Sequence, residues 1–189
     1  MKIRLIITDF DGTLVDTFQA NLKSYQQAFE SVGLSLSAEQ YKNCFGLRFD
    51  KFMHSMNIID ESVASNIRKA KSEFYPANFH LLRVNDSLLN FIRSFKRCGV
   101  LTAVASTARR KNLENALTYI DAYNDFDLIF AGEDVVNGKP SPEIYDKIMN
   151  FFNVSPQETL IFEDSPVGIE AAISAGANYL KVGNDGINN

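Results

Sequence analysis

The sequence predicts an α/β protein, a doubly wound parallel sheet interrupted by an inserted all-helical domain. Short apolar runs at residues 3–8, 100–105, 128–130, 159–162 and 179–182 lack the polar alternation of half-exposed strands. Such runs belong in a parallel sheet whose strands are buried on both faces. Helical patterns separate the later runs, and that alternation over residues 82–189 is the pattern of a sheet with helices packed on it. Residues 17–81 break the rhythm, carrying helical stripes and no convincing strand.

Each element has a local reason. The first run ends in acidic residues, not in a small-residue cleavage site, so it reads as a strand and not as a signal peptide. In the insertion, Leu22, Tyr25, Ala28, Phe29 and Val32 share one helical stripe that Gly33 stops. Ser37 followed by Gln40 has the form of a capping box, and Val63, Ile67, Ala70 and Phe74 recur at helical spacing before Pro76. Asn85 or Asp86 can cap a helix bearing Leu88, Phe91, Ile92 and Phe95, with Gly99 at its stop. Ser141-Pro142 and Ser165-Pro166 each set a capping hydroxyl before a proline at the first helical position. The expected division is a core of residues 1–16 and 82–189 and a helical cap of residues 17–81. Residues 184–189 are polar and expected to fray.

Composition excludes several classes. With 189 residues, 46% hydrophobic and 22% charged, the chain is long enough for a core plus an accessory domain. A net charge of -4 and the lack of a basic stripe argue against a nucleic-acid partner. Arg109-Arg110-Lys111 reads as a solvated first helical turn. Cys44 and Cys98 have no metal-ligand spacing and read as reduced, buried, small apolar residues. No apolar run reaches the ~18 residues of a membrane span, so the expectation is a soluble, cytoplasmic protein without a membrane partner. Oligomeric state is left open.

Ligands of open α/β sheets bind beyond the carboxyl ends of the strands, so the residues just after each run carry the chemistry. They are Asp9, Asp11 and Gly12 after the first run, Ser106 and Thr107 after the second, Lys139 in the loop after the third, and Glu163 and Asp164 after the fourth. Carboxylates converging at one rim repel one another unless a cation sits among them, and hard oxygen ligands favour Mg²⁺. Metal, lysine and hydroxyl donors together suit phosphoryl transfer, which needs positioning and charge neutralisation. A carboxylate can attack phosphorus, and a second acid two residues away can move the proton. Taken singly the features are ordinary: Asp and Gly favour turns, Ser caps helices, Lys is usually solvated, and acids suit a helix N-terminus.

Asp9-Phe10-Asp11-Gly12-Thr13-Leu14, Ser106, Lys139-Pro140 and Glu163-Asp164 resemble, in order, the four motifs of the haloacid dehalogenase-like hydrolase superfamily. The stretch from Gly138 to Tyr145, and Glu163-Asp164-Ser165 with Gly168 and Ala171-Ala172, are similar to the branch of phosphoglycolate phosphatases and beta-phosphoglucomutases. The resemblance implies a Rossmann-like core, a helical cap and a Mg²⁺-dependent phosphatase acting on a small phosphorylated metabolite. It implies that Asp9 is the nucleophile and a metal ligand, and that Asp11 is the general acid/base whose carbonyl also meets the metal. Ser106 and Lys139, with Gly12 and Thr107 beside them, would hold the phosphoryl group. Asp164 would ligate the metal, and Glu163 would ligate it or orient a water. Thr107 stands where the family often has asparagine. In the cap, Thr17, Asn21, Arg48 and Lys71 are candidate substrate contacts, Arg48 and Lys71 being otherwise ordinary helical charges; His54 and His80 read as surface or interface residues.

Other readings are weaker. A receiver-type signalling domain also gathers acids, a hydroxyl and a lysine at a sheet rim, but its phospho-accepting acid would follow a middle strand, where this chain has Ser106-Thr107. A dehalogenase needs no second acid in the first motif, so Asp11 favours phosphate chemistry. A sugar-phosphate mutase of the beta-phosphoglucomutase type would carry a cap histidine at the position of Asn21.

Overall fold

A computed structural model describes residues 2–183; the polar tail at 184–189 lies outside the described residues. The described chain forms two compact units. One runs to Asp16 and resumes at Arg83; the other is Thr17–Leu82.

The first unit is built on a parallel sheet that starts with β1 (Leu5–Thr8), every residue of which is buried. A short antiparallel pair, β2 (Val15–Asp16) and β3 (Arg83–Val84), ties the two chain passages where the second unit is inserted. That pair was not legible as strand, since two residues carry no period. The second unit contains α1 (Phe18–Glu30), α2 (Ala38–Lys42), α3 (Phe49–Ser55) and α4 (Glu61–Phe74). A 3₁₀ segment, Tyr75–Leu81, with Pro76 in its first turn, follows. The capping box at α2 forms, with Ser37 Oγ accepting from Gln40 N at 3.1 Å and Gln40 Oε1 accepting from Ser37 N at 2.8 Å. Phe29, Tyr41, Phe52 and Ile67 centre the apolar core of this unit.

Back in the first unit come α5 (Asp86–Arg97), β4 (Leu101–Ala105), α6 (Arg110–Tyr119), β5 (Leu128–Phe130), α7 (Glu143–Phe152), β6 (Thr159–Glu163), α8 (Pro166–Ser174) and β7 (Asn178–Lys181). Among the described residues the sheet order is β5-β4-β1-β6-β7, with every pairing parallel. The chain therefore crosses from one side of β1 to the other between β5 and β6, the kind of switch point at which ligands bind. Register decides what meets there. Thr8 pairs with both Val104 and Phe162, so the three strands end level and the residues just beyond them arrive at one rim.

Four local expectations need correction. β7 is largely exposed, and β5 only half-buried, because both are edge strands and lack a full covering layer. Pro142 occupies the N-cap of α7, one position before the first helical residue. Cys98 is exposed, since it lies at the C-cap of α5, off the buried stripe; Cys44 is buried. Arg110 is no freely solvated charge: it pairs with Asp134 and, at 3.1 Å, with Glu114, and it donates to the Ile129 carbonyl. None of the helices among the described residues is long and apolar enough to cross a membrane.

Candidate active site

Asp9 is the first residue beyond β1, and its backbone N–H donates to the Phe162 carbonyl at 2.9 Å, keeping it in register with β6. Its carboxylate accepts from Lys139 Nζ at 2.6 Å. Lys139 arrives on the loop between β5 and α7 with only 4% of its side chain exposed. Its ammonium has three protons and, among the described residues, three acceptors: Asp9, the Ala105 carbonyl at 3.1 Å, and Glu163.

Glu163 ends β6 and is fully buried. One of its oxygens accepts from Lys139 and from the Tyr145 hydroxyl at 3.0 Å. The other accepts from Asp164 N, Ser165 N and Ser165 Oγ at 3.1–3.2 Å. Every lone pair is engaged, which is how a buried carboxylate offsets its desolvation. Ser165 is also the N-cap of α8, accepting from Gly168 N at 3.1 Å. Gly168 has to be glycine, because a Cβ there would fall on the Glu163 carboxylate.

Asp164 receives the Thr13 hydroxyl at 2.8 Å. Gly12, at φ +93°, turns the backbone in the left-handed region and leaves the space that the Asp164 carboxylate fills. Asp11 lies on the other side of that turn, where Ser106 Oγ donates to it at 3.1 Å. Ser106 is fully buried, and its hydroxyl also accepts from Ala108 N at 3.0 Å.

Burial pushes the Asp9 carboxyl well above its ordinary range, and neighbouring Glu163 and Asp11 add to that, while Lys139 pulls it down. Burial acts against the Lys139 ammonium, but attraction to Asp9 and its other neighbours prevails and holds it above the ordinary lysine value. Burial also raises Asp164, against the Thr13 hydrogen bond.

Asp9, Glu163 and Asp164 each present a carboxylate oxygen within 4.8 Å of the others. An all-oxygen, anionic donor set of that spread fits a hard divalent cation such as Mg²⁺. Glu163, with its oxygens already engaged by donors, is the least available of the three.

The family model of haloacid dehalogenase-like hydrolases matches residues 6–182. The chain belongs to the haloacid dehalogenase-like hydrolase family. The phosphorylated carbohydrates phosphatase of Thermotoga maritima is 33% identical over 180 residues, covering 90% of this chain and 81% of the relative. The validoxylamine A 7'-phosphate phosphatase of Streptomyces hygroscopicus subsp. limoneus is 26% identical, covering 92% and 82%. Among solved structures, CbbY from Rhodobacter sphaeroides in complex with phosphate superposes with a TM-score of 0.85 at 25% identity, covering 96% of this chain and 88% of that one.

In this haloacid dehalogenase-like hydrolase, direct contacts bring together Asp9, Lys139, Glu163 and, separately, Asp11 with Ser106 and Gly12 with Asp164. Thr107 is not drawn into them; its side chain is exposed, and its carbonyl backs onto Gly132. The insertion residues lie in the other unit. Thr17 and Asn21 are buried, and Arg48 is exposed and pairs with Asp50 at 3.8 Å. Lys71 is 8% exposed, with Nζ 3.7 Å from the centre of the Tyr75 ring. His54 and His80 are exposed. Thr13, Tyr145, Ser165 and Gly168 fall within or beside the motifs, and only the structure brings them to the site. Their common signal was proximity in sequence to a motif acid or lysine.

Proposed function

We propose that this hydrolase is a Mg²⁺-dependent phosphatase that cleaves a small phosphomonoester, of the phosphorylated-carbohydrate or phosphoglycolate type, through a phospho-aspartyl intermediate on Asp9. The observation that carries the reading is that the Asp9 carboxylate, at the end of the central strand, accepts from a buried lysine ammonium and lies within 4.8 Å of the half-buried Asp164 carboxylate. The phosphatase relatives support the substrate class.

In this reading an Asp9 carboxylate oxygen attacks phosphorus, the ester P–O bond breaks, and the leaving oxygen takes its proton from Asp11. Water then attacks the acyl phosphate, giving its proton to Asp11, and phosphate departs with Asp9 restored. Lys139 and the Ser106 hydroxyl balance the charge on the phosphoryl oxygens, and burial strengthens that effect. Asp9 and Asp164, with the Asp11 carbonyl, would hold Mg²⁺. When bound, the ion supplies Lewis-acid neutralisation of the phosphoryl oxygens.

The test is a release assay for inorganic phosphate on purified protein against a panel of phosphorylated metabolites. Turnover is expected to vanish in chelator and to return with added Mg²⁺. Full activity in excess chelator would remove the metal from the reading, and silence across the panel with Mg²⁺ would remove the phosphatase.

A further inference from the structure

Tyr145 is one of the largest fully buried side chains, on the first turn of α7, and it belongs to the same buried apolar cluster as Leu5, Ile7, Ala103, Ile148 and Ile161. A buried tyrosine must satisfy its hydroxyl, and any nearby carbonyl would serve. Here the hydroxyl donates instead to Glu163, on the same oxygen that receives Lys139. The face of the same ring lies 5.3 Å from Lys139 Nζ. Tyr145 therefore touches both members of the pair through which Lys139 is held, one by its hydroxyl and the other by its π-face.

We propose that Tyr145 is a positioning residue for the phosphoryl-transfer site: by fixing Glu163 it aims the Lys139 ammonium at Asp9. The proposal rests on the phosphatase reading above and extends it to a residue that touches neither substrate nor reacting atoms. With all five donors in place Glu163 is held in one direction. Its second oxygen is held by the backbone opening of α8, so the rotation of its first oxygen is set by Tyr145 and Lys139 together. Without the hydroxyl, one lone pair of a fully buried carboxylate lacks a donor. The carboxylate then turns to recover one, taking the lysine with it. Lys139 is needed most where charge develops on the phosphoryl group, so its misplacement lowers turnover more than substrate binding.

The experiment is Tyr145→Phe, which keeps the ring, its packing and its face towards Lys139. With a generic aryl phosphate and saturating Mg²⁺, kcat is expected to fall about tenfold and KM to stay within about twofold, the range seen when partners of a first-contact residue are removed. The melting temperature should fall by no more than about 10 °C, the range expected for one unmet lone pair of a buried carboxylate, with the protein still folded. Ile148→Val, a neighbouring core change, controls for loosened packing and should leave kcat unmoved. A Tyr145→Phe kcat within twofold of wild type, or a fall that Ile148→Val reproduces, overturns the proposal. A crystal structure of Tyr145→Phe gives a readout independent of turnover. Displacement of Glu163 and of Lys139 Nζ from Asp9 is expected, and wild-type positions for both overturn the proposal even if the protein has no phosphatase activity.

Discussion

Lys139 and Asp9 lie 130 residues apart in the chain and 2.6 Å apart at the rim of the sheet. The pair is buried, and the same ammonium also holds Glu163, which is fully buried. One cation thus balances two carboxylates, and its removal is expected to cost both activity and stability. In Lys139→Met the chain keeps the side-chain volume but leaves two buried acids without their cation. Breaking a buried ion pair from one side costs about 3–5 kcal/mol. A denaturant midpoint lowered to match, with phosphatase activity lost, is the expected outcome; wild-type stability would show that the pair contributes little.

Asp9 and Asp11 separate by the hydrogen bonds they accept: Asp9 from Lys139, Asp11 from Ser106. Asp9→Asn removes the nucleophilic carboxylate and should abolish turnover. Asp11→Asn keeps the backbone and most of the shape but loses the proton carrier, a change worth roughly 10²–10⁴-fold in general acid/base catalysis. Beryllium fluoride with Mg²⁺ should form its adduct on the Asp9 carboxylate. An adduct on Asp11, or wild-type turnover by Asp9→Asn, contradicts the assignment.

Gly168→Ala makes a sharper structural test, because helix propensity predicts the opposite result. Replacing a helical glycine with alanine ordinarily stabilises by about 1 kcal/mol. At this position the new methyl falls on the Glu163 carboxylate, which several donors hold in place. Something must move, and overpacking of this kind costs about 1–3 kcal/mol. Thermal melts are expected to show destabilisation together with reduced turnover, and a stabilised, fully active Gly168→Ala would refute the crowding.

The rim of the site was legible because parallel strands are buried runs, and the residues that end them are polar for a reason. Asp9, Ser106, Glu163 and Asp164 could be found from those runs alone, and Lys139 from the loop that follows one of them. What could not be read was the pairing. That Ser106 reaches Asp11, that Thr13 reaches Asp164 and that Tyr145 reaches Glu163 depends on register and on side-chain direction. Neither has a periodic trace in the sequence. The burial of Lys71 is illegible for a related reason: nothing in the spacing of a helical lysine shows that Tyr25 and Tyr75 are its neighbours.

The loop that presents Lys139 has its own anchor, and it is testable by pH. Glu143, in the first turn of α7, accepts from Val136 N at 3.0 Å, Asn137 N at 2.8 Å and Lys147 Nζ at 2.8 Å. The Lys147 hydrogen bond and the two backbone N–H groups lower its carboxyl from the ordinary 4.5 to about 2. A carboxyl with a depressed folded value contributes stability that is fully present above its unfolded value and disappears as pH falls through the folded one. The window is therefore from about 4.5 down to about 2. Across it, the wild-type protein should lose stability as acid is added, and Glu143→Gln should show a shallower slope, because its amide does not titrate. At neutral pH the same variant loosens the 136–137 turn, so faster amide exchange at Val136 and Asn137 is expected. An NMR titration that places Glu143 near 4.5 in the folded protein, or equal acid slopes for the two proteins, would show that this carboxylate does not hold the loop.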